Sequence, residues 1–118
     1  MARLISFFEI PAVNFNRAVS FYETVFNVKI DVCDCDETEL MGFFPEGEGA
    51  ISFSEQIKPS KDGVLISLCT DNIEITLEKI QKLGGETVIP KTEIQAEGMG
   101  FFAVFIDCEG NKLGLHEK

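Results

Sequence analysis

Residues 41–44 read Met41-Gly42-Phe43-Phe44, and the same four letters return as Met99-Gly100-Phe101-Phe102, 58 residues further along a chain of 118. This separation is close to half the chain, so the sequence indicates an internal duplication. The same separation carries Asn14 onto Asn72, and the apolar positions that follow the two asparagines coincide. The repeat therefore decides the fold more strongly than any single motif does.

Each copy contains one predicted helix. Apolar residues follow Phe15 and Ile73 at spacings of 4, 7 and 10 residues, which is the stripe of an amphipathic helix. Asn14 and Asn72 stand where the side chain of an N-cap accepts a hydrogen bond from the first turn. The predicted helices cover about residues 15–26 and 73–83.

The other apolar segments, rich in Phe and Val, predict one strand before each helix and three after it. A unit of this length is too short to bury both faces of its sheet. We therefore predict one domain, 1–118, built from βαβββ modules 1–57 and 64–118. The predicted strands are Leu4–Ile10, Val28–Cys35, Leu40–Phe44 and Ala50–Ser54, then Val64–Cys69, Glu86–Ile89, Gly100–Asp107 and Lys112–His116, with Pro90–Gly98 as a loop.

Charge and cysteine content exclude several function classes. Ten Lys and Arg against twenty Asp and Glu give a net charge of −10, which repels phosphate, so neither nucleic acid nor a membrane surface is an expected partner. No apolar run approaches the roughly 20 residues of a membrane span, and no secretory signal is recognisable, so we predict a cytoplasmic protein. The four cysteines form no CxxC pair and are expected to be reduced.

Two stretches and the duplicated βαβββ order resemble the vicinal oxygen chelate superfamily. The stretches are Ile10-Pro11-Ala12-Val13-Asn14-Phe15 through Phe21-Tyr22, and Asp107-Cys108-Glu109-Gly110-Asn111 before an apolar strand. This superfamily includes glyoxalase I, extradiol dioxygenases, fosfomycin-resistance transferases and bleomycin-resistance proteins. The resemblance implies an α+β fold in which the tandem modules form a curved mixed sheet around a cleft, commonly within a homodimer.

The resemblance also implies a divalent metal, held by side chains from the first and last strand of each module. Carried onto this sequence, these positions fall on Phe7 and Leu65 in the first strands and on Ser52 and Gly114 in the last. None is a usual ligand, because carbon does not coordinate a cation and a neutral hydroxyl is a weak donor to transition metals. The matching positions thus support no metal, and the cofactor stays unknown.

A step of two residues along each strand stays on the same face and reaches Glu9, Ser54, Ser67 and His116. Glu9 and His116, the one histidine of the chain, are the titratable members of this set. We predict them as catalytic residues that converge in the cleft, as base and acid or as two metal ligands. The alternative is that both are edge or interface residues hydrogen-bonded to backbone, or are partly solvated near the chain end.

The other predicted cleft residues are assigned to substrate binding, and they are Phe7, Ser52, Ser54, Leu65 and Ser67. Lys91, the cation of the predicted loop, is a further candidate, for a substrate carboxylate or phosphate. Strand alternation also directs one ring of each Phe pair, Phe43-Phe44 and Phe101-Phe102, toward the cleft.

The predicted function is that of a lactoylglutathione lyase-like protein, a lyase or isomerase that acts on a small oxygenated metabolite. The alternative is a metal-free protein that sequesters a small-molecule ligand, as the bleomycin-resistance proteins of the superfamily do. No Cys–His nucleophile is predicted, because the sequence does not reveal which residues lie near His116.

Overall fold

The structure is a computed structural model that describes residues 4–36 and 38–118, with no description of the side chains of residues 34–36. The chain divides into two compact units, Met1–Pro59 and Ser60–Lys118. The described part of each unit has one helix and one mixed four-stranded sheet, so the predicted α+β fold of two βαβββ modules is confirmed. That the two modules form a single domain stays a prediction.

The first unit is formed by β1 (Phe8–Pro11), α1 (Phe15–Phe26), β2 (Asp31–Asp36), β3 (Glu39–Phe43) and β4 (Gly49–Phe53). Its strands lie in the order β1-β4-β3-β2, with β1 parallel to β4 and the other neighbours antiparallel. The Arg17 N–H donates to Asn14 Oδ1 at 3.2 Å, which confirms the predicted N-cap of α1.

The second unit repeats this order with β5 (Ser67–Cys69), α2 (Ile73–Lys82), β6 (Glu86–Glu93), β7 (Phe101–Ile106) and β8 (Lys112–Glu117). The sheet order is β5-β8-β7-β6, again with the first pair parallel. The Ile75 N–H donates to Asn72 Oδ1 at 3.1 Å, so α2 has the predicted cap as well.

One face of the first sheet packs against α1. A Cβ added at Gly42 would meet the side chains of Ile30, Phe15 and Val19, of which the last two belong to α1. Ile51 and Ile10 stand in the same cross-strand row as Gly42 and are buried. Alternate residues form the opposite side, which we call the helix-free face of the first sheet: Glu9, Pro11, Met41, Phe43, Ala50 and Ser52.

The second sheet is arranged in the same way. Ala103 and Leu115 are paired and fully buried, and Glu117, two residues beyond Leu115, accepts a hydrogen bond from the first residue of α2. These residues therefore lie on the helix side. The helix-free face of the second sheet consists of Ser67, Cys69, Phe102, Val104, Gly114 and His116.

Four strands differ from the sequence prediction by three residues or more. β1, β2 and β5 begin later than expected, at Phe8, Asp31 and Ser67, so the apolar residues just before them remain outside any strand. β6 continues through Pro90 to Glu93, where the sequence predicts a loop. A proline is tolerated there because β6 is an edge strand, on which one row of N–H groups has no partner strand.

The repeated Met-Gly-Phe-Phe letters occupy different places in the two modules. Gly42 lies inside β3, opposite Ile51, whereas Gly100 precedes β7 and has a φ of +83°. The connection between β6 and β7 is longer than that between β2 and β3. Structurally equivalent residues beyond these connections are therefore no longer 58 residues apart along the chain. The letters reveal the duplication, but they are not structural equivalents.

No helix in the described residues is long and apolar enough to cross a membrane. The predicted reduced state holds for Cys69 and Cys108, which are not in a disulfide. It is wrong for Cys33, which is disulfide-bonded. The side chain of Cys35 lies outside the described part of the structure.

Candidate functional site

The helix-free face of the first sheet holds three of the predicted site residues. The Phe7 and Phe43 ring centroids are 6.2 Å apart, with an angle of 47° between the rings, which places Phe7 on this face beside Glu9 and Ser52. Glu9 is exposed and pairs with Ala50 in the ladder between β1 and β4. Aromatic surface, a carboxylate and a hydroxyl are thus collected on one side of the sheet.

Ser52 is the unusual member of this group. Its side chain is 2% exposed, and Oγ has no hydrogen-bond partner among the described residues. Its row neighbours are Pro11 and Met41, whose side chains offer no strong donor or acceptor. Leaving a buried hydroxyl unsatisfied costs about 1–3 kcal/mol, so such a group calls for an explanation.

Ser54 is placed differently, although it is only two residues further along. It follows the end of β4, and its Oγ accepts a hydrogen bond from the Gln56 N–H at 3.1 Å. The hydroxyl of Ser54 therefore stabilises a turn, whereas the hydroxyl of Ser52 makes no hydrogen bond to the described residues.

The helix-free face of the second sheet brings Ser67, Gly114 and His116 together. A Cβ at Gly114 would collide with Ser67 Oγ, so the glycine permits the close approach of the serine side chain. Leu65 precedes β5 and is 49% exposed. His116 is half-buried on β8, with Cys69 of β5 on one side and Phe102 of β7 on the other.

The imidazole of His116 is oriented by backbone. Its Nε2 lies 2.7 Å from the carbonyl oxygen of Met99. A carbonyl oxygen only accepts, so Nε2 carries the hydrogen, and in the neutral ring Nδ1 carries the lone pair. One bond therefore fixes both the tautomer and the ring position.

Strand pairing also relates His116 to Ser52. The Ala12 N–H donates to the Ser52 carbonyl at 2.8 Å, and the Thr70 N–H donates to the His116 carbonyl at 2.9 Å. Ala12 and Thr70 are separated by the same 58 residues as the two helix caps. By the hydrogen bond that each accepts from the residue after the first strand of its module, His116 is therefore the structural equivalent of Ser52. Counting from the glycine turns in the sequence instead matches Ser52 with Gly114.

Glu9 and His116 belong to different units, and their convergence stays a prediction. The helix-free faces also contain Cys69 and Phe102, which the sequence analysis did not select as site residues. Strand alternation from Ser67 reaches Cys69 directly, and this signal would have found it.

Lys91 lies on the helix side of the second sheet. Its Nζ is 3.1 Å from Glu117 Oε2, 4.0 Å from Glu74 Oε1 and 4.5 Å from the ring centroid of Phe101. The Ile73 N–H donates to Glu117 Oε1 at 2.8 Å. Lys91 thus helps to hold the start of α2, and the structure does not bring it to the helix-free face.

This ion pair gives stability a defined pH dependence. The hydrogen bond from the Ile73 N–H, and then the Lys91 ammonium, lower the pKa of Glu117 below its ordinary value of 4.5. The carboxylate therefore stabilises the fold above the ordinary pKa, and this contribution is lost as the pH falls through the lowered pKa of the folded state. We expect Glu117→Gln to be less stable than wild type at neutral pH, with the difference shrinking as the pH falls below the ordinary pKa of 4.5.

Urea unfolding of both proteins across this pH range measures the effect. Glu78→Gln, at an exposed position of α2, is the matched control for replacing a glutamate by glutamine in this unit. A gap between Glu117→Gln and wild type that stays the same at every pH would contradict the assignment.

The positions that the resemblance assigns to a metal do not fit one. The side chain of Phe7 packs against another ring, Leu65 and Gly114 have no donor atom, and Ser52 alone offers an oxygen. Among the described side chains, no group of three or more His, Cys, Asp or Glu residues is placed to hold a metal ion. The residues at these positions therefore do not form a set of transition-metal ligands.

No family model and no curated protein matches the sequence. Solved structures match its fold over nearly the whole chain. Glyoxalase I from Zea mays has a TM-score of 0.70 and 17% identity, covering 92% of this chain and 44% of the maize chain. A glyoxalase/bleomycin resistance protein from Albidiferax ferrireducens has a TM-score of 0.72 and 12% identity, covering 98% of this chain and 99% of the other.

A third match is FosX, the fosfomycin resistance protein from Listeria monocytogenes, in a structure with Mn(II) and sulfate. Its TM-score is 0.69 at 19% identity, covering 99% of this chain and 91% of FosX. The chain has the fold of the glyoxalase, bleomycin-resistance and fosfomycin-resistance proteins, so the vicinal oxygen chelate resemblance is confirmed at the level of the fold. It spans less than half of the maize enzyme.

Proposed function

We propose that this chain is a metal-free binding protein for a small, partly apolar molecule that carries a hydroxyl or carbonyl group. The observation that carries the proposal is the buried Ser52 hydroxyl, which lacks a partner among the described residues and lies on the same sheet face as the Phe7–Phe43 ring pair. Ligand sites are mostly apolar and contain a few polar groups that fix orientation. This face has that composition.

Each side chain has a distinct part in the proposal. The rings of Phe7 and Phe43 offer apolar surface to a flat or greasy ligand. The Ser52 hydroxyl donates to a carbonyl or accepts from a hydroxyl, and Glu9 accepts from a second hydroxyl at the exposed edge. A ligand that reaches Ser52 must displace the side chains that cover it, because this residue is 2% exposed.

Two serine-to-alanine variants on the same segment test the proposal. We expect Ser52→Ala to raise the free energy of unfolding by about 1 kcal/mol, because an unsatisfied hydroxyl is removed. Ser54→Ala should lower it by about 0.5–1 kcal/mol, because the hydrogen bond from Gln56 is lost. Urea unfolding measures both values.

Binding of phenol, which combines a ring with one hydroxyl, is the second readout of the same pair. We expect saturable shifts of the Phe7, Phe43 and Ser52 amide signals in ¹H–¹⁵N spectra, with weaker binding in Ser52→Ala and unchanged binding in Ser54→Ala. A Ser52→Ala variant that is destabilised and binds phenol as wild type does would overturn the role of this hydroxyl.

A second candidate is a lyase or isomerase that acts on a small oxygenated metabolite by acid–base chemistry. The oriented imidazole of His116 supports it, since Nδ1 is the lone-pair nitrogen of the neutral ring and is suited to take a proton from a substrate carbon. Glu9 would be the second acid–base group if the two residues meet. Turnover that is lost in both Glu9→Gln and His116→Gln would favour this candidate.

The proposal includes a homodimer and a cytoplasmic location, as the fold resemblance and the sequence suggest. Apolar side chains just before the first strand of each module support association, because Leu4, Ile5 and Val64 are 100%, 68% and 89% exposed.

A further inference from the structure

We propose that Cys69 and His116 form a nucleophile–base pair that adds the thiol to neutral α,β-unsaturated carbonyl compounds. This reactivity is separate from the ligand binding proposed above, since it resides on the second sheet and does not involve Ser52. The sequence alone does not suggest it, because the two residues are far apart along the chain.

The topology makes the two residues neighbours. Cys69 of β5 and His116 of β8 are Cα partners in the parallel ladder, so their side chains leave the sheet on the same, helix-free face. Adjacent strands lie about 4.8 Å apart, and the proposed pair requires the thiol and the imidazole to meet across this spacing. Cys69 is not in a disulfide and is exposed, so a reagent has access to its sulfur.

A third group orients the base. The bond between Nε2 and the Met99 carbonyl, at 2.7 Å, leaves the Nδ1 lone pair to take a proton. A nucleophile beside a base that is itself held by a third group is the arrangement found in activated cysteines and serines. Here the third group is a backbone carbonyl in place of a carboxylate or amide side chain.

The surroundings favour a neutral, flat reagent. Phe102 stands in the same cross-strand row on the other side of His116 and is half-buried, so one ring borders the pair. Val104 and Gly114 occupy the neighbouring row and carry no charge. A conjugated carbonyl compound can lie against the Phe102 ring while its β-carbon meets the sulfur.

The addition is balanced without an external oxidant or reductant. His116 Nδ1 takes the proton of the Cys69 thiol, and the sulfur forms a bond to the β-carbon as the carbon–carbon π bond breaks. The electron pair moves to the enolate, whose α-carbon then takes the proton back from Nδ1. The product is a thioether whose mass is the sum of protein and reagent.

Cys108 provides a comparison within the same molecule. It is also a thiol outside any disulfide, but it is half-buried after the end of β7 and has no histidine as a strand partner. Its rate with the same reagent reports ordinary thiol reactivity in the folded protein. A general change in folding would alter this rate as well.

The experiment uses 2-cyclohexen-1-one as the probe and follows adduct formation at each cysteine by peptide mass spectrometry. His116→Gln is the test variant, because the glutamine amide can still donate to the Met99 carbonyl but cannot take a proton. We expect the rate at Cys69 to fall about 100-fold, the lower range for a positioned general base, while the rate at Cys108 stays the same. Cys69→Ser should remove the fast-reacting site altogether.

Two results would overturn the proposal. One is a wild-type protein in which Cys69 reacts no faster than Cys108. The other is a His116→Gln variant in which Cys69 keeps its wild-type rate, since exposure alone would then explain the reactivity. Loss of phenol binding leaves this inference intact, so the two proposals fail separately.

Discussion

Replacing Asp107 by alanine is expected to lower the free energy of unfolding by about 3–4 kcal/mol, because a buried carboxylate with several hydrogen bonds is lost. Asp107 is 2% exposed. Its Oδ1 accepts from the Glu109 and Asn111 N–H groups at 2.8 and 2.9 Å, and its Oδ2 accepts from Asn111 Nδ2 at 3.1 Å. The variant would leave these donors unsatisfied in a buried turn.

The effect should extend beyond the turn. Asn111 Oδ1 accepts a hydrogen bond from the Ser60 N–H at 3.1 Å. The hydrogen bonds between Asp107 and Asn111 therefore also stabilise the position of Ser60, the first residue of the second unit. Asp62→Ala, at an exposed position of the same unit, is the control and should change stability by less than about 0.5 kcal/mol. Urea unfolding of the three proteins decides the matter, and equal stabilities would refute the structural role of Asp107.

Gly100→Ala is expected to cost about 3 kcal/mol, and Gly98→Ala only about 1 kcal/mol. Both glycines have positive φ, +83° and +77°, so both variants suffer the backbone penalty. At Gly98 a Cβ meets nothing within 4 Å, whereas at Gly100 it collides with the carbonyl oxygen of Glu117 and lies 2.9 Å from Lys118 Cα. The difference between the two variants therefore isolates crowding against β8.

The same pair of variants tests the orientation of His116. Gly100 follows Met99, whose carbonyl holds Nε2, so relief of the clash should displace this acceptor. Because the chain has one histidine, its ¹⁵N signals report the tautomer without ambiguity. We expect the wild type and Gly98→Ala to have the Nε2–H form and Gly100→Ala to have a mixture. Identical histidine spectra in all three proteins would show that Met99 does not fix the ring.

The helices and their caps were predictable because local signals determine them. The apolar stripe and the capping asparagines depend on residues within a few positions of one another, and the observed helices, Phe15–Phe26 and Ile73–Lys82, agree with the prediction to within a residue. Strand alternation was reliable within the strands themselves, but it failed at Ser54, which lies beyond the end of β4. It placed Phe7, Glu9 and Ser52 on one face, as the structure does.

The sequence predictions failed where the structure depends on pairing between segments that are distant along the chain. Pro90 predicted a loop, but an edge strand tolerates it, so Lys91 became part of a strand and paired with Glu117. The position of Cys69 beside His116 depends on the parallel pairing of β5 with β8, which no local pattern encodes. The sequence pattern also indicated Ser52, but only the structure reveals that this residue is buried and that its hydroxyl has no hydrogen-bond partner among the described residues.

Metal content is the most direct test of the claim that this glyoxalase-fold chain binds its ligand without a metal. The protein should be purified without chelators and without a histidine tag, and Zn, Ni, Fe and Mn should be quantified per chain. We predict amounts far below one metal per chain, and unfolding midpoints that do not change when Mn(II) is added. A stoichiometric metal that survives dialysis and raises the unfolding midpoint would contradict the proposed function.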